Sequence, residues 1–258
     1  MLDLNNPDTR QAAIAAKLNI GTPLVIADVA EEFGVSVDTI RRDFISLEQQ
    51  GLLKRVKGGA VPLLPPSKPI NVRIKEADQW LSSGRETIAE VTAGCHTIFF
   101  DGGTSVVEFA SLLPNNFNGL AVTPSPLVAV ELLKAGIETQ LIGGNLKGQG
   151  GIATGAQTVQ SLSDIKADLC VLGACGIDAG FGLSADDLSE ADVKRQMILS
   201  SKKVLVLASV QKFNACARHK VAPVTDIDII ISNGPDETVT SIREAGVTVL
   251  KVNGEAEE

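Results

Sequence analysis

Two groups of residues in this chain have types and spacings that could do chemistry. The first can hold an anion. Asp101, Gly102, Gly103, Thr104 and Ser105 form the string DGGTS. Its glycines let a ligand approach the main chain, its hydroxyls can donate, and a helix starting there directs free amides and its positive end at negative charge. A second string, GGNLKGQGG at 143–151, opens with Gly143 and Gly144, which again permit close approach. Lys212, in VQKFN, adds a cation that can reach the same anion. Each loop alone reads equally well as a cap or a turn. Their common place after strands of one sheet describes a phosphate-sized site. The second group is basic and polar: Ser36, Asp38, Thr39, Arg41 and Arg42, followed by Lys54, Arg55 and Lys57. Guanidinium groups at the start of a helix can donate to guanine edges or clamp phosphates of duplex DNA.

The elements that would position the second group are legible. Ala12, Ile14, Ala15 and Leu18 recur at helical spacing from Asp8 to Leu18, with Asn19, Gly21 and Pro23 as stop signals. A short helix over Ile26 to Phe33 ends at Gly34, whose freedom to take positive φ suits a tight turn. Ser36 can cap a third helix running to about Gln50. Ala30, Gly34 and Ile40 then supply the small residue, the turn and the locking apolar side chain of a helix-turn-helix. On the third helix Val37, Ile40, Phe44 and Leu47 form one stripe, which leaves Asp38, Arg42, Ser46 and Gln49 opposite and Thr39 and Arg41 on the flanks. LLKRVKGGAV (52–61) reads as a basic hairpin, the wing.

Charge supports that assignment once it is resolved along the chain. The net charge of −8 argues against nucleic acid as a partner, because phosphate neutralisation supplies most non-specific affinity. Residues 1–60, however, hold seven basic and eight acidic side chains, and within 41–57 five basic residues face two acidic ones. A local basic face on an acidic protein results.

The domains expected are a winged helix-turn-helix at 1–60, a proline-rich extended connector at 61–72 (VPLLPPSKPINV) and an α/β domain at 73–258. In the last, a helix is expected over about 76–92. Strands follow at 96–100, 120–123, 138–143, 168–173, 203–208 and 227–232. Helices near 105–113, 125–135, 156–163, 188–202 and 236–245 separate them, so the sheet is parallel and covered on both faces. In such sheets ligands bind beyond the carboxyl ends of the strands, which is where DGGTS and its companions fall.

The string GVSVDTIRRDFISLEQQGLLKRVKGGAV resembles the N-terminal signature of the DeoR family of bacterial transcriptional regulators, through Val35 to Ser36, Thr39 to Asp43, Leu47 to Gly51 and Gly58 to Ala60. The resemblance continues to the C-terminal part. DGGTS is similar to the family's Asp-x-Gly-Thr-Thr phosphate loop, and Leu141 to Gly144 to its glycine pair. GACGID (173–178) and GLS (182–184) resemble its next turn. Glu190, Ala191 and Lys194 fall on its Glu-Ala-x-x-Lys helix, and Lys212 with Phe213 on its Ser-Lys-Phe element. It implies a C-terminal domain resembling ribose-5-phosphate isomerase that binds a phosphorylated sugar and thereby weakens DNA binding, usually of a repressor. The effector residues implied are Asp101, Gly102, Gly103, Thr104, Ser105, Thr123, Gly143, Gly144, Glu190, Lys194 and Lys212. Thr123 and Pro124 stand where the family has threonine-asparagine, and Ser209, Val210 and Gln211 where it has aspartate-x-serine.

Other classes lose support. GxGxxG and GxxxxGK[ST] are absent, so no dinucleotide or nucleoside triphosphate cofactor is expected. Cys95, Cys170, Cys175 and Cys216 lack metal-ligand spacing and read as buried free thiols in a reducing cytoplasm, with no metal. No apolar run approaches a membrane span and no export signal is evident, so a cytoplasmic location without a membrane partner is expected. The rival reading is a sugar-phosphate isomerase or deaminase using Asp101, Asp178, Asp186, Asp187, Glu190, Lys194 or Lys212 as base and electrophile. It leaves the helix-turn-helix without a use. A regulator that has lost metabolite binding is a third reading. The partners expected are double-stranded operator DNA, a phosphorylated sugar and a second copy, as a dimer or tetramer.

Overall fold

The computed structural model describes residues 4–18, 23–63 and 67–252. Asn19 and Gly21, expected to stop the first helix, residues 64–66 of the proline-rich stretch and the last six residues lie outside them.

The N-terminal unit builds α1 (Pro7–Leu18), β1 (Leu24–Val25), α2 (Ile26–Phe33), α3 (Val37–Gln49), β2 (Leu53–Val56) and β3 (Gly59–Pro62). Gly34 ends α2 in the left-handed region (φ 64°), and Ser36 caps α3 by accepting the Thr39 N–H at 3.1 Å. Ile14, Leu18, Ile40, Phe44, Leu47 and Leu53 close one core. Each such side chain contributes about 1.5–3 kcal/mol by leaving water. Val37, expected in that stripe, is 39% exposed, because the buried seam of α3 is completed instead by Asp43. β2 and β3 pair antiparallel as the wing, turning at Gly58 (φ 86°), and β1 adds to β3 through Leu24 and Ala60. A side chain at Gly59 would run into the Leu24 carbonyl, so glycine is required where β1 crosses.

The second unit follows a one-turn helix, α4 (Ile70–Arg73), and α5 (Arg85–Thr92). Its chain order is then β4 (Thr97–Phe100), α6 (Thr104–Ser111), β5 (Leu120–Thr123), α7 (Pro126–Lys134), β6 (Thr139–Leu141), β7 (Asn145–Leu146), β8 (Ala153–Thr154), α8 (Ala156–Ser163) and β9 (Ala167–Gly173). There follow β10 (Gly176–Asp178), β11 (Gly182–Ala185), α9 (Leu188–Leu199), β12 (Ser201–Leu207), β13 (His219–Ala222), β14 (Ile229–Ser232), α10 (Asp236–Glu244) and β15 (Thr248–Lys251). Among the described residues seven strands form one parallel sheet in the order β15-β14-β12-β9-β4-β5-β6. Side-chain alternation explains its two cores: Phe99 packs on one face, Ile98 and Phe100 on the other, and all three are fully buried.

Several expectations change. The helix expected over 76–92 exists only from Arg85. Trp80 and Leu81 are held in a loop by Ser105 and Glu108, and Ser82–Gly84 is a 3₁₀ turn. The connector is no free extended strand at either end: Val61 and Pro62 belong to β3, Leu63 pairs with Cys216, and Ile70–Arg73 is helical. A small antiparallel sheet, β10-β11-β13, was not expected. Cys170 and Cys216 are buried, but Cys95 and Cys175 are only half-buried; all four are free.

Candidate functional site

The strands β4, β9 and β12 end side by side, and the loops that follow them enclose a cavity of about 240 Å³. Gly102 to Ser105 line it where α6 starts, with Gly103 at φ 96°. A Cβ on Gly102 would lie 2.2 Å from Ile152 Cγ2, so the loop can pack against the 147–152 segment only as glycine. Asp101 and Lys194 form the floor as a buried ion pair. Asp101 Oδ2 also accepts the Gly173 N–H at 3.0 Å, and Lys194 Nζ donates to the Gly173 carbonyl at 2.9 Å. The pair therefore pins the end of β4 to the end of β9, and both charges are already partnered. Burial opposes the Lys194 charge, but Asp101, Cys175 and Glu190 outweigh it and hold the ammonium above its usual value. Burial pushes the Glu190 carboxyl up, and Lys194 only partly offsets it.

Of the effector residues expected, Asp101, Gly102, Gly103, Thr104, Ser105, Glu190, Lys194 and Lys212 come together around this cavity. Thr123, Gly143 and Gly144 are not among its lining residues. Thr123 is buried, its hydroxyl accepting the Ser125 N–H. Gly143 offers its carbonyl to Thr158, and Gly144 (φ 150°) lies where a side chain would strike the Thr158 hydroxyl. The glycine pair thus shapes a turn against α8, and it is Gly150 and Ile152, further along the same loop, that reach the cavity. Ser67, Arg73 and Glu76, outside every string with a legible site signal, also line it, as does Cys175 from GACGID. Ile70 and Ile74, four residues apart, were the available sign of a helical turn carrying Arg73, hidden beside a run of prolines.

The basic face is divided. Arg41 and Arg42 project from α3; Arg41 is paired with Asp38 three residues earlier, whereas the Arg42 side chain makes no hydrogen bond or ion pair among the described residues. Lys57, at the tip of the wing, is likewise exposed and without an ion pair among them. Ser36 and Thr39 hydroxyls lie 2.9 Å apart at the helix start. Lys54 and Arg55 are both tied to Glu48, at 3.3 and 2.7 Å. Lys54 also stands 5.5 Å from the centre of the Phe181 ring, in the turn between β10 and β11.

The DeoR-like helix-turn-helix domain matches residues 10–63, and the DeoR C terminal sensor domain matches residues 84–234. The chain belongs to the DeoR family. It is a DNA-binding transcriptional regulator rather than an enzyme. An HTH-type transcriptional regulator, GlpR, of Haloferax volcanii is 30% identical over 250 residues, covering 95% of this chain and 97% of that protein. The glycerol-3-phosphate regulon repressor of Escherichia coli is 30% identical over 213 residues, 81% of this chain and 83% of its own length. A solved ribose 5-phosphate isomerase A from Methanocaldococcus jannaschii aligns with 52% of this chain and 53% of that one at 14% identity and a TM-score of 0.38. No helix of the described residues is long and apolar enough to cross a membrane.

Proposed function

We propose that this DeoR-family regulator represses an operon of carbohydrate metabolism, and that a phosphorylated sugar or a related small phosphoester bound against Gly102–Ser105 releases it from its operator. The observation that carries the reading is the convergence of a glycine loop at a helix start, an open hydroxyl at Thr104 and a lysine at 212 on one small cavity at the strand ends. The similarity to a glycerol-3-phosphate regulon repressor supports a ligand of that chemical class. An isomerase would need a carboxylate free to take a proton. Asp101 is held by Lys194 and Gly173, Asp178 by the amides of Gly180 and Phe181, Asp186 by Ser67, and Asp187 by Lys147 and the start of α9. Glu190 alone of the expected carboxylates lines the cavity without a side-chain hydrogen bond or ion pair among the described residues, so the match to the regulator family, not the pairing of carboxylates, carries the choice against an enzyme. Two copies would place two winged helices on two half-sites of one duplex.

The test is a gel shift on the DNA flanking the protein's own gene, with glycerol 3-phosphate, fructose 1-phosphate and inorganic phosphate added in turn. A Thr104→Val/Lys212→Met double variant should bind DNA as the wild type does and no longer respond. Release of DNA by that variant at wild-type concentrations would place the effector elsewhere.

A further inference from the structure

One wall of the cavity comes from outside the strand-end loops. Arg73 stands on α4, the first helical turn behind the proline-rich stretch. Its guanidinium donates from Nε to the Lys68 carbonyl at 2.8 Å and from Nη2 to the Gln149 carbonyl at 3.0 Å. Two bonds from one planar group fix its orientation. Nη1 makes no hydrogen bond among the described residues and lies 4.0 Å from the point a Cβ on Gly103 would occupy, nearer than any described atom beyond Gly103 and its chain neighbours. The other cations lining the cavity are differently placed: Lys194 is partnered by Asp101 and Gly173, and Lys212 enters from the end of β12. A guanidinium fixed by two bonds, with its Nη1 left open beside a glycine loop, is placed to donate to an anion held there.

We infer that Arg73 is an anion-binding residue of the effector site, so that a bound phosphoester ties the chain segment arriving from the wing to the phosphate loop. The inference rests on the reading of the cavity given above and adds to it a residue and a route. The segment has few other anchors. Ser67 donates to Asp186, Gln149 reaches the Ser67 carbonyl, and the Ile70 N–H donates to the Gly148 carbonyl at 3.0 Å. Of the four residues of α4 only Ile70 is buried. Charge-assisted bonds from Arg73 to a ligand would therefore be a large fraction of what holds this segment down. Arg73 and Lys212 both line the cavity without an ion pair among the described residues, and, set against the Glu190 carboxylate that also lines it, they favour a dianionic phosphomonoester over a neutral sugar.

Calorimetric titration of the full chain with glycerol 3-phosphate, fructose 1-phosphate and inorganic phosphate tests the assignment, using the wild type, Arg73→Ala, Arg73→Lys and Thr104→Val. Arg73→Ala should bind the best of these probes about 10- to 100-fold more weakly, the loss expected for hydrogen bonds to a charged group, with Arg73→Lys between. Amide hydrogen exchange over Ile70–Glu76 should slow in the wild type when the probe saturates and stay unchanged in Arg73→Ala. Wild-type exchange in the rest of that variant's sensor domain would show its fold intact. Wild-type affinity in Arg73→Ala with a loss in Thr104→Val overturns this inference and leaves the cavity reading standing. A loss in Arg73→Ala alone moves the anion off the loop and overturns both, as does absence of binding or of any loss.

Discussion

Ion pairs decide which cations of the basic face are left open for the proposed contact with DNA. Arg42 and Lys57 carry open charges, whereas the Lys54 and Arg55 charges are shared with Glu48. Replacing Arg42 with alanine should weaken operator binding by about 1–3 kcal/mol and relax specificity at one base pair, the pattern of a base-edge contact. Replacing Lys57 should weaken binding to every duplex alike and flatten the salt slope by about one. Lys54→Ala should change the slope less, since its ammonium faces Glu48 and Phe181. Fluorescence anisotropy at several salt concentrations measures all three, and a larger slope change for Lys54 than for Lys57 would reverse the assignment. Residue types and spacing place these cations on α3 and the wing, but pairing is beyond them: nothing in KRVK tells which cation Glu48 holds, because that depends on how the hairpin folds back onto α3.

Within elements, a buried ion pair does what an apolar contact does elsewhere in the N-terminal core. Arg10 on α1 and Asp43 on α3 are each about 4% exposed or less, bonded at 2.5 and 3.2 Å, with Gln11 adding a third donor to Asp43. Asp43→Ala would strand the Arg10 charge and should lower the stability of this unit by about 3–5 kcal/mol, whereas an Arg10→Met/Asp43→Leu double replacement should recover most of the loss. Urea unfolding followed by circular dichroism reads both, and an Asp43→Ala midpoint equal to the wild type would show the pair to be solvated. In a bare sequence Arg10 and Asp43 look like two more surface charges, 33 positions apart. The same limit applies to the sheet. Runs such as IFF and LCVL announce central strands because both faces are buried, and the three helices of the N-terminal unit follow from apolar spacing and caps. GLSA in β11 and GID in β10 lack such runs. They become strands because the Ser184 hydroxyl bonds the Gly176 carbonyl and accepts the Ala217 N–H, contacts made only after distant segments meet. In the cavity the strand-end strings were legible, while Ser67, Arg73 and Glu76 were not, because proline composition masked the helical turn behind it.

Across the whole molecule the wing is docked on the sensor domain, and the contacts lead back to the cavity by two short routes. The cavity wall at Gly173–Cys175 runs directly into β10, whose turn is closed by Asp178 accepting the Gly180 and Phe181 N–H groups. That turn meets the wing: Phe181 lies under Lys54, and a Cβ on Gly180 would come within 3.3 Å of Val56. On the other side, Lys212 is four residues from Cys216, whose N–H donates to the Pro62 carbonyl at 3.1 Å at the end of β3. A ligand can shift the wing only through a difference in its affinity for docked and undocked arrangements, typically about 1–3 kcal/mol. Phe181→Ala removes the ring that both Lys54 and Lys220 face, without touching the cavity or the edge of α3 proposed to meet DNA. It should leave phosphoester affinity of the free protein nearly unchanged and shrink the factor by which the phosphoester lowers operator affinity. Operator titrations with and without saturating glycerol 3-phosphate give that factor directly. If it is the same in the variant and the wild type, the Phe181 contact is a resting place for the wing and the coupling must run through Cys216 and Pro62 instead, where the main-chain bond survives any side-chain replacement.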